Sequence, residues 1–166
     1  WELFKIITLK KGRIEIKIEA VVIGAGVVGL AVGKSLADKG IEVAVIEKEK
    51  RIGEGASTRN SGVIHAGLYY SPKSLKAKVC CDGRQKLYEY AAKKNIPFKK
   101  TGKLIVATEK NQLEQLQLLY ENGKANGVPL KMLSKQKVEV LEEEITCETA
   151  IFSSESGIIS VPEYLS

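Results

Sequence analysis

The spacing of apolar residues near the start of the chain predicts two strands with a helix between them. Residues 20–23 form a continuous apolar run, and residues 42–46 form a second β-rich run. Such runs are typical of strands that are buried on both faces of a parallel sheet. Residues 27–39 place apolar side chains at helical spacing, and Gly40 is a suitable residue to end that helix. The pattern therefore predicts a β-α-β unit.

The rest of the chain alternates between strand-like and helix-like spacing. Residues 14–18 alternate apolar and polar side chains, which predicts a half-exposed strand. Residues 48–62 are polar and rich in glycine and serine, which predicts a loop. The remaining predictions are a short strand or turn at 63–70, strands at 103–108, 130–133 and 149–153, a helix at 134–142, and the start of a helix within 161–166.

Two longer helices are predicted in the middle of the chain. The first spans residues 74–94, and its apolar residues near one face are Leu75, Val79, Leu87 and Ala91. The second spans residues 110–122, and the pair Asn122-Gly123 indicates its end. Together with the β-α-β unit, these elements predict an α/β protein with a Rossmann-like start.

The composition favours a packed protein and disfavours several partner classes. Apolar residues make up 44% of the 166 residues, which is enough for a core. The net charge is +6, but the lysines are spread along the chain, so we expect no nucleic-acid partner. The cysteines and the single histidine lack the spacing of a metal site or a disulfide framework. We interpret Cys80 and Cys81 as small core residues of a helix.

No membrane anchor or export signal is predicted. No apolar stretch is long enough for a transmembrane helix. Charges interrupt the apolar residues at the N-terminus, unlike in a secretory signal peptide. We therefore expect a cytoplasmic protein, with peripheral membrane attachment or an organelle left open.

A glycine turn joins the first predicted strand to its helix. Gly24 permits the tight turn, Gly26 lets the backbone approach a pyrophosphate, and Gly29 lets the helix pack against the strand. The second strand is followed by Glu47, whose carboxylate suits the hydroxyl groups of an unphosphorylated ribose and disfavours NADP. FAD and NAD contain the same adenosine diphosphate portion, so this motif does not distinguish between the two cofactors. A β-α-β unit that binds neither cofactor also remains possible.

Residues 57–70 are rich in hydrogen-bond donors separated by small residues. Composition alone favours an ordinary polar surface loop there, although such a loop could also wrap a pyrophosphate. With Glu47-Lys48, the runs STRNS, HAGLYY and GKLIVAT resemble the FAD-dependent oxidoreductases of the D-amino-acid oxidase superfamily. The resemblance covers about residues 20–166 and is greatest to the members that act on L-2-hydroxyglutarate.

The resemblance implies a cofactor, a reaction and a set of binding residues. It implies FAD as the cofactor and, as the reaction, hydride removal from C2 of a 2-hydroxy acid, which would convert L-2-hydroxyglutarate to 2-oxoglutarate. No residue indicates the electron acceptor. The residues implied in cofactor binding are Gly24, Gly26, Gly29, Glu47, Lys48, Thr58, Arg59, Asn60 and Ser61.

His65 is the candidate catalytic residue. Histidine is the residue type best suited to proton transfer near neutral pH, and His65 is the single histidine of the chain. It could accept the hydroxyl proton of a 2-hydroxy acid, or it could merely hydrogen-bond the flavin or a backbone carbonyl. Tyr69 and Tyr70 could orient a substrate carboxylate or pack in the core, and we assign Tyr70 to substrate binding.

The resemblance also predicts the domain organisation. Residues 1–19 are an unassigned lead-in, residues 20–80 are the N-terminal part of the FAD-binding domain, and residues 81–166 lead into an incomplete α+β substrate domain. We therefore expect the N-terminal portion of a longer enzyme. The alternatives are a related flavoenzyme that oxidises amines or glycerol 3-phosphate, and a non-catalytic nucleotide-binding module.

Overall fold

The predicted β-α-β unit is present, and one additional strand completes a parallel sheet of three strands. The computed structural model describes residues 4–8 and 18–166. β2 (Ala20–Ile23), α1 (Val27–Ala37) and β3 (Val43–Glu47) follow the predicted order, which confirms this part of the fold. The strand β1 (Phe4–Thr8) was not predicted and pairs with β3 in parallel, so the strand order is β1-β3-β2.

The two predicted strands differ in burial. Val43, Ala44 and Val45 of β3 are fully buried, as predicted for a central strand. The prediction of burial on both faces is wrong for β2, where Ile23 is 88% exposed. Burial alternates along β2: Val21 and Ile23 lie on one face, which is exposed, whereas Val22 on the other face lies next to Gly29 of α1. Residues 14–17 of the strand predicted at 14–18 lie outside the described residues.

The described residues divide into two compact units. The first unit contains the described residues up to Ser61 together with Val161–Ser166, and the second contains Gly62–Ser160. The short helix α5 (Val161–Leu165) belongs to the first unit. The division proposed from the sequence, near residue 80, is a prediction about domains of a larger enzyme and is distinct from these units.

The second unit combines two small antiparallel sheets with three α-helices and one short 3₁₀ helix. In chain order its elements are β4 (Val63–Ile64), α2 (Leu75–Lys94), β5 (Phe98–Lys99), β6 (Lys103–Ala107), α3 (Leu113–Ala125), β7 (Leu130–Ser134), α4 (Lys135–Leu141), β8 (Thr149–Ser153) and β9 (Gly157–Ile159). One sheet has the order β4-β9-β5 and the other the order β6-β8-β7. A core cluster lies under this second sheet and includes Leu68, Leu116 and Ile151.

Two predictions about the helices of the second unit are wrong. Leu75, placed near the apolar face of α2, is 75% exposed, and the buried residues of α2 are Ala77, Tyr88 and Ala91. The helix α3 continues past Asn122-Gly123 and is capped at Asn126. The reason is tertiary: Gly123 is buried against Leu130 and Leu68, so it serves close packing inside the helix. Every helix in the described residues is too short or too polar to cross a membrane.

Candidate functional site

The glycine turn brings the start of α1 close to the end of β2. Gly24 has a φ of +99°, which only glycine adopts readily, and its N–H donates to the Ile46 carbonyl at 2.7 Å. A Cβ at Gly29 would overlap the Gly24 carbonyl oxygen and would lie 3.4 Å from Cγ1 of Val22. Gly24 therefore makes the turn, and Gly29 lets the helix lie directly on it.

Gly26 is the N-cap of α1 and has an extended backbone conformation. The next N–H, that of Val27, donates to the Ser57 hydroxyl oxygen at 3.0 Å. A Cβ at Gly26 would lie 3.2 Å from the same oxygen, so little room separates the turn from the loop. The first turn of α1 carries no acidic side chain. The positive end of the helix dipole is therefore available to an anion.

Ser57 is a site residue that the sequence reasoning missed. Ser57 belongs to the run STRNS, but its hydrogen bond with Val27 of α1 joins residues that are 30 positions apart. Serine is a preferred helix cap when it stands directly before the helix. No local pattern indicates that a serine so far along the chain performs this task, so only the folded chain reveals it.

Glu47 lies at the carboxyl end of β3, next to the glycine turn. Its Oε2 accepts from the Ala25 N–H at 2.7 Å, and its Oε1 accepts from the Glu49 N–H at 3.0 Å. The hydrogen bonds from Glu49 and Ala25 hold the pKa of the Glu47 carboxyl below its ordinary value. The carboxylate is thus ionised at neutral pH and retains acceptor capacity for two adjacent hydroxyl groups.

The loop after β3 is anchored to the glycine turn at Gly53. The Gly53 N–H donates to the Ala25 carbonyl at 2.8 Å, and the Thr58 hydroxyl donates to the Gly53 carbonyl at 2.8 Å. Lys48 points into solvent, with a 3.5 Å ion pair to Glu49. The other residues implied by the resemblance are all exposed, namely Arg59, Asn60 and Ser61.

The second unit carries His65 and Tyr70 on a segment that follows β4. The His65 side chain is exposed, whereas the next three residues are buried. The ammonium group of Lys76 lies 5.5 Å from the ring centroid of Tyr70. The ammonium group of Lys103 lies 4.8 Å from the ring centroid of Tyr69. These lysines give the surface around the two tyrosines a positive charge, which suits an anionic ligand.

The structure therefore brings part of the predicted cofactor residues close together, whereas Lys48, Arg59, Asn60 and Ser61 are exposed. The three glycines, Glu47 and the loop that contains Thr58 surround the start of α1. A close-approach glycine, an available helix N-terminus and an ionised carboxylate at the end of the second strand fit the adenosine and pyrophosphate parts of FAD. His65 and Tyr70 belong to the second unit.

Comparison with protein families defines the class. The family model described as FAD dependent oxidoreductase (DAO) matches residues 19–166, so the chain belongs to this family. The membership confirms the resemblance inferred from the sequence, the FAD dependence and the Rossmann-like α/β fold class.

Individual relatives of the chain have more specific names than the family. The chain is 45% identical over 150 residues to the mitochondrial L-2-hydroxyglutarate dehydrogenase of Arabidopsis thaliana, covering 90% of this chain and 31% of the relative. It is 42% identical over 144 residues to the mitochondrial human enzyme of the same name, covering 85% and 31%. The chain thus spans about a third of the length of these relatives.

Solved structures agree on the fold. The dithionite-reduced L-α-glycerophosphate oxidase of Mycoplasma pneumoniae with FAD bound superposes with a TM-score of 0.83 at 28% identity, covering 89% of this chain and 40% of the oxidase. The glycine oxidase of Geobacillus kaustophilus has a TM-score of 0.80 at 24% identity, covering 89% and 42%. At this lower identity the likeness supports the fold alone.

Proposed function

We propose that this chain is part of an FAD-dependent enzyme that oxidises a 2-hydroxy acid, namely L-2-hydroxyglutarate to 2-oxoglutarate. The main support for FAD binding is the ionised carboxylate of Glu47, which lies beside the glycine turn and accepts a 2.7 Å hydrogen bond from the Ala25 N–H. The substrate follows from the names of the relatives at 45% and 42% identity.

Cofactor binding is proposed for the first unit. The carboxylate of Glu47 accepts from the ribose hydroxyls, and the start of α1 faces the pyrophosphate across Gly26. Gly24 and Gly29 shape the turn. The remaining loop residues proposed to contact the cofactor are Lys48, Thr58, Arg59, Asn60 and Ser61.

The proposed chemistry separates a hydride from a proton. Bound FAD supplies the hydride acceptor. As the C2 hydrogen would leave as hydride to that acceptor, the imidazole of His65 would accept the O–H proton, and C2 would become a carbonyl carbon. Tyr70 orients a substrate carboxylate, and the Lys76 ammonium 5.5 Å from its ring adds positive charge there.

A second candidate function is oxidation of glycerol 3-phosphate or an amine. It is favoured by the TM-score of 0.83 with the glycerophosphate oxidase. A non-catalytic nucleotide-binding module is the third possibility, in which bound FAD turns over no substrate. The cytoplasmic location stays a prediction, and a mitochondrial location is its alternative because the relatives are named as mitochondrial.

The test is anaerobic flavin reduction in the full-length, FAD-loaded protein that contains this chain. L-2-Hydroxyglutarate should reduce the flavin, and glycerol 3-phosphate and glycine should not. His65→Ala and His65→Gln should retain FAD but reduce it about 10²–10⁴-fold more slowly. Normal reduction by both variants would remove His65 from catalysis, and selective reduction by glycerol 3-phosphate would replace the proposed substrate.

Tyr70 has a matched control in the same unit. Tyr70 and Tyr120 are both half-buried, and each has a lysine ammonium near its ring, at 5.5 Å and 5.9 Å. Tyr70→Phe should raise KM for L-2-hydroxyglutarate, whereas Tyr120→Phe should leave it unchanged. An equal response of the two variants would contradict the role of Tyr70.

A further inference from the structure

Two asparagines of α3 hold residues 65–70, which are called the His65 segment. Asn122 donates from Nδ2 to the carbonyls of Leu68 at 2.6 Å and Tyr70 at 2.9 Å. Asn126 donates from Nδ2 to the carbonyls of Gly67 at 3.0 Å and Tyr70 at 2.7 Å. A side-chain amide has two N–H donors, so each asparagine uses both on this segment.

Side chains of α2 contact the first two residues of the same segment, His65 and Ala66. The Arg84 guanidinium donates from Nη1 to the Ala66 carbonyl at 2.9 Å. The thiol of Cys80 lies 3.5 Å from the His65 carbonyl. Side-chain donors from α2 and α3 therefore reach five of the six carbonyls between residues 65 and 70.

Close packing explains why these contacts leave the segment little freedom. A Cβ at Gly67, where φ is +100°, would lie 2.7 Å from Sγ of Cys81. A Cβ at Gly123 of α3 would overlap Leu130 Cδ1 and would lie 3.1 Å from Cβ of Leu68. Glycine on the segment and glycine on the helix thus let backbone and side chains approach, and Leu68 is fully buried between them.

We propose that Asn122 and Asn126 are positioning residues for His65 and Tyr70. The inference rests on the proposed function of those two residues. The His65 side chain is exposed, so the backbone beneath it determines where the imidazole stands. The asparagine amides fix that backbone by replacing the hydrogen bonds that a strand or helix would otherwise supply to its carbonyls. This explains why Asn122-Gly123 does not end the helix: both residues are used inside it.

The experiment uses the full-length, FAD-loaded protein and the isosteric variant Asn122→Asp, which places an acceptor against the two carbonyls. We expect kcat to fall by about 10²-fold from displacement of His65, with unchanged FAD content. The matched control is Gln117→Ala on the same helix, because the Gln117 amide makes only an exposed contact with Glu121 at 2.7 Å. This control should leave kcat unchanged.

Combination with His65→Ala distinguishes positioning from a general structural role. If Asn122 acts on kcat through His65, then Asn122→Asp should cause no further loss of kcat in the His65→Ala background. An additional loss of the full size in that background would overturn the proposal. Poor folding of Asn122→Asp would be recognised from lost FAD, and Asn122→Ala, which adds no charge, would then replace it in the same cycle.

Hydrogen exchange of the backbone amides at 66–70 is a second readout that needs no activity. Exchange there should accelerate in Asn122→Asp and stay unchanged in Gln117→Ala. Unchanged exchange in Asn122→Asp would overturn the positioning proposal. If His65→Ala alone leaves kcat unchanged, the proposed role of His65 in proton transfer fails, whereas the proposed substrate and cofactor do not. The exchange result then still decides whether the asparagines hold the segment.

Discussion

The Glu47 carboxylate and the Ala25 backbone N–H are joined by a 2.7 Å hydrogen bond. The bond links the end of β3 to the turn that follows β2, across 22 positions of sequence. It therefore places a negative charge beside the start of α1 at a fixed distance from the glycine turn. The geometry couples the stability of the turn to the ionisation of one carboxyl group.

Stability should therefore depend on pH through Glu47. Its folded-state pKa is lowered, so its contribution is present above the ordinary carboxyl pKa of about 4.3 and is lost as pH falls through the lowered value. Thermal unfolding of the wild type and Glu47→Gln should differ at pH 7 and converge on acidification. The control is Glu49→Gln, which removes only an ion pair of 3.5 Å to the exposed Lys48. A constant difference across the pH range would contradict the assignment.

Two glycines inside helices should respond oppositely to alanine. Gly29→Ala places a Cβ against the Gly24 carbonyl and should lower the free energy of unfolding by about 1–3 kcal/mol. At Gly83 in α2 nothing lies within 4 Å of a Cβ, so Gly83→Ala should raise it by about 0.5–1 kcal/mol. Urea unfolding measures both changes, and a stabilised Gly29→Ala would refute the close packing at the turn.

FAD binding should be lost in Gly26→Val while the fold remains. The backbone at Gly26 is extended, so valine is compatible with it, but a Cβ there would lie 3.2 Å from Ser57 Oγ and would block the approach of a pyrophosphate. The control is Gly55→Val in the following loop, where nothing lies within 4 Å of a Cβ. FAD titration and circular dichroism of the full-length protein measure the two effects. Equal FAD affinity in both variants would show that Gly26 has no such role.

Local patterns predicted the regular elements well where one element supplies its own signal. The strand at 149–153 matches β8 (Thr149–Ser153), and the helix at 74–94 matches α2 (Leu75–Lys94) within one residue. The short strands β5 (Phe98–Lys99) and β9 (Gly157–Ile159) were missed. They pair with each other far apart in sequence, so their hydrogen bonds leave no local period to detect.

The residues of the candidate site likewise fall into those that a local sequence pattern indicates and those that it does not. Gly24, Gly26, Gly29 and Glu47 were predicted because a turn between a strand and a helix needs these residue types at this spacing. Ser57 and Asn126 were not predicted, since their hydrogen bonds reach 30 and 56 positions along the chain. A serine or asparagine has many common tasks, so its type alone indicates none of them.

Residue type and spacing thus determined the β-α-β unit, its glycine turn and the family, because backbone conformation and helix period are local properties. Tertiary structure decided which faces are buried. Ile23 is exposed on one face of β2, although the apolar run of this strand predicts burial on both faces. It also decided that Asn122 lies within α3 and hydrogen-bonds the His65 segment, instead of ending the helix. Burial and long-range hydrogen bonds depend on which neighbours the fold brings together, and no single segment carries that information.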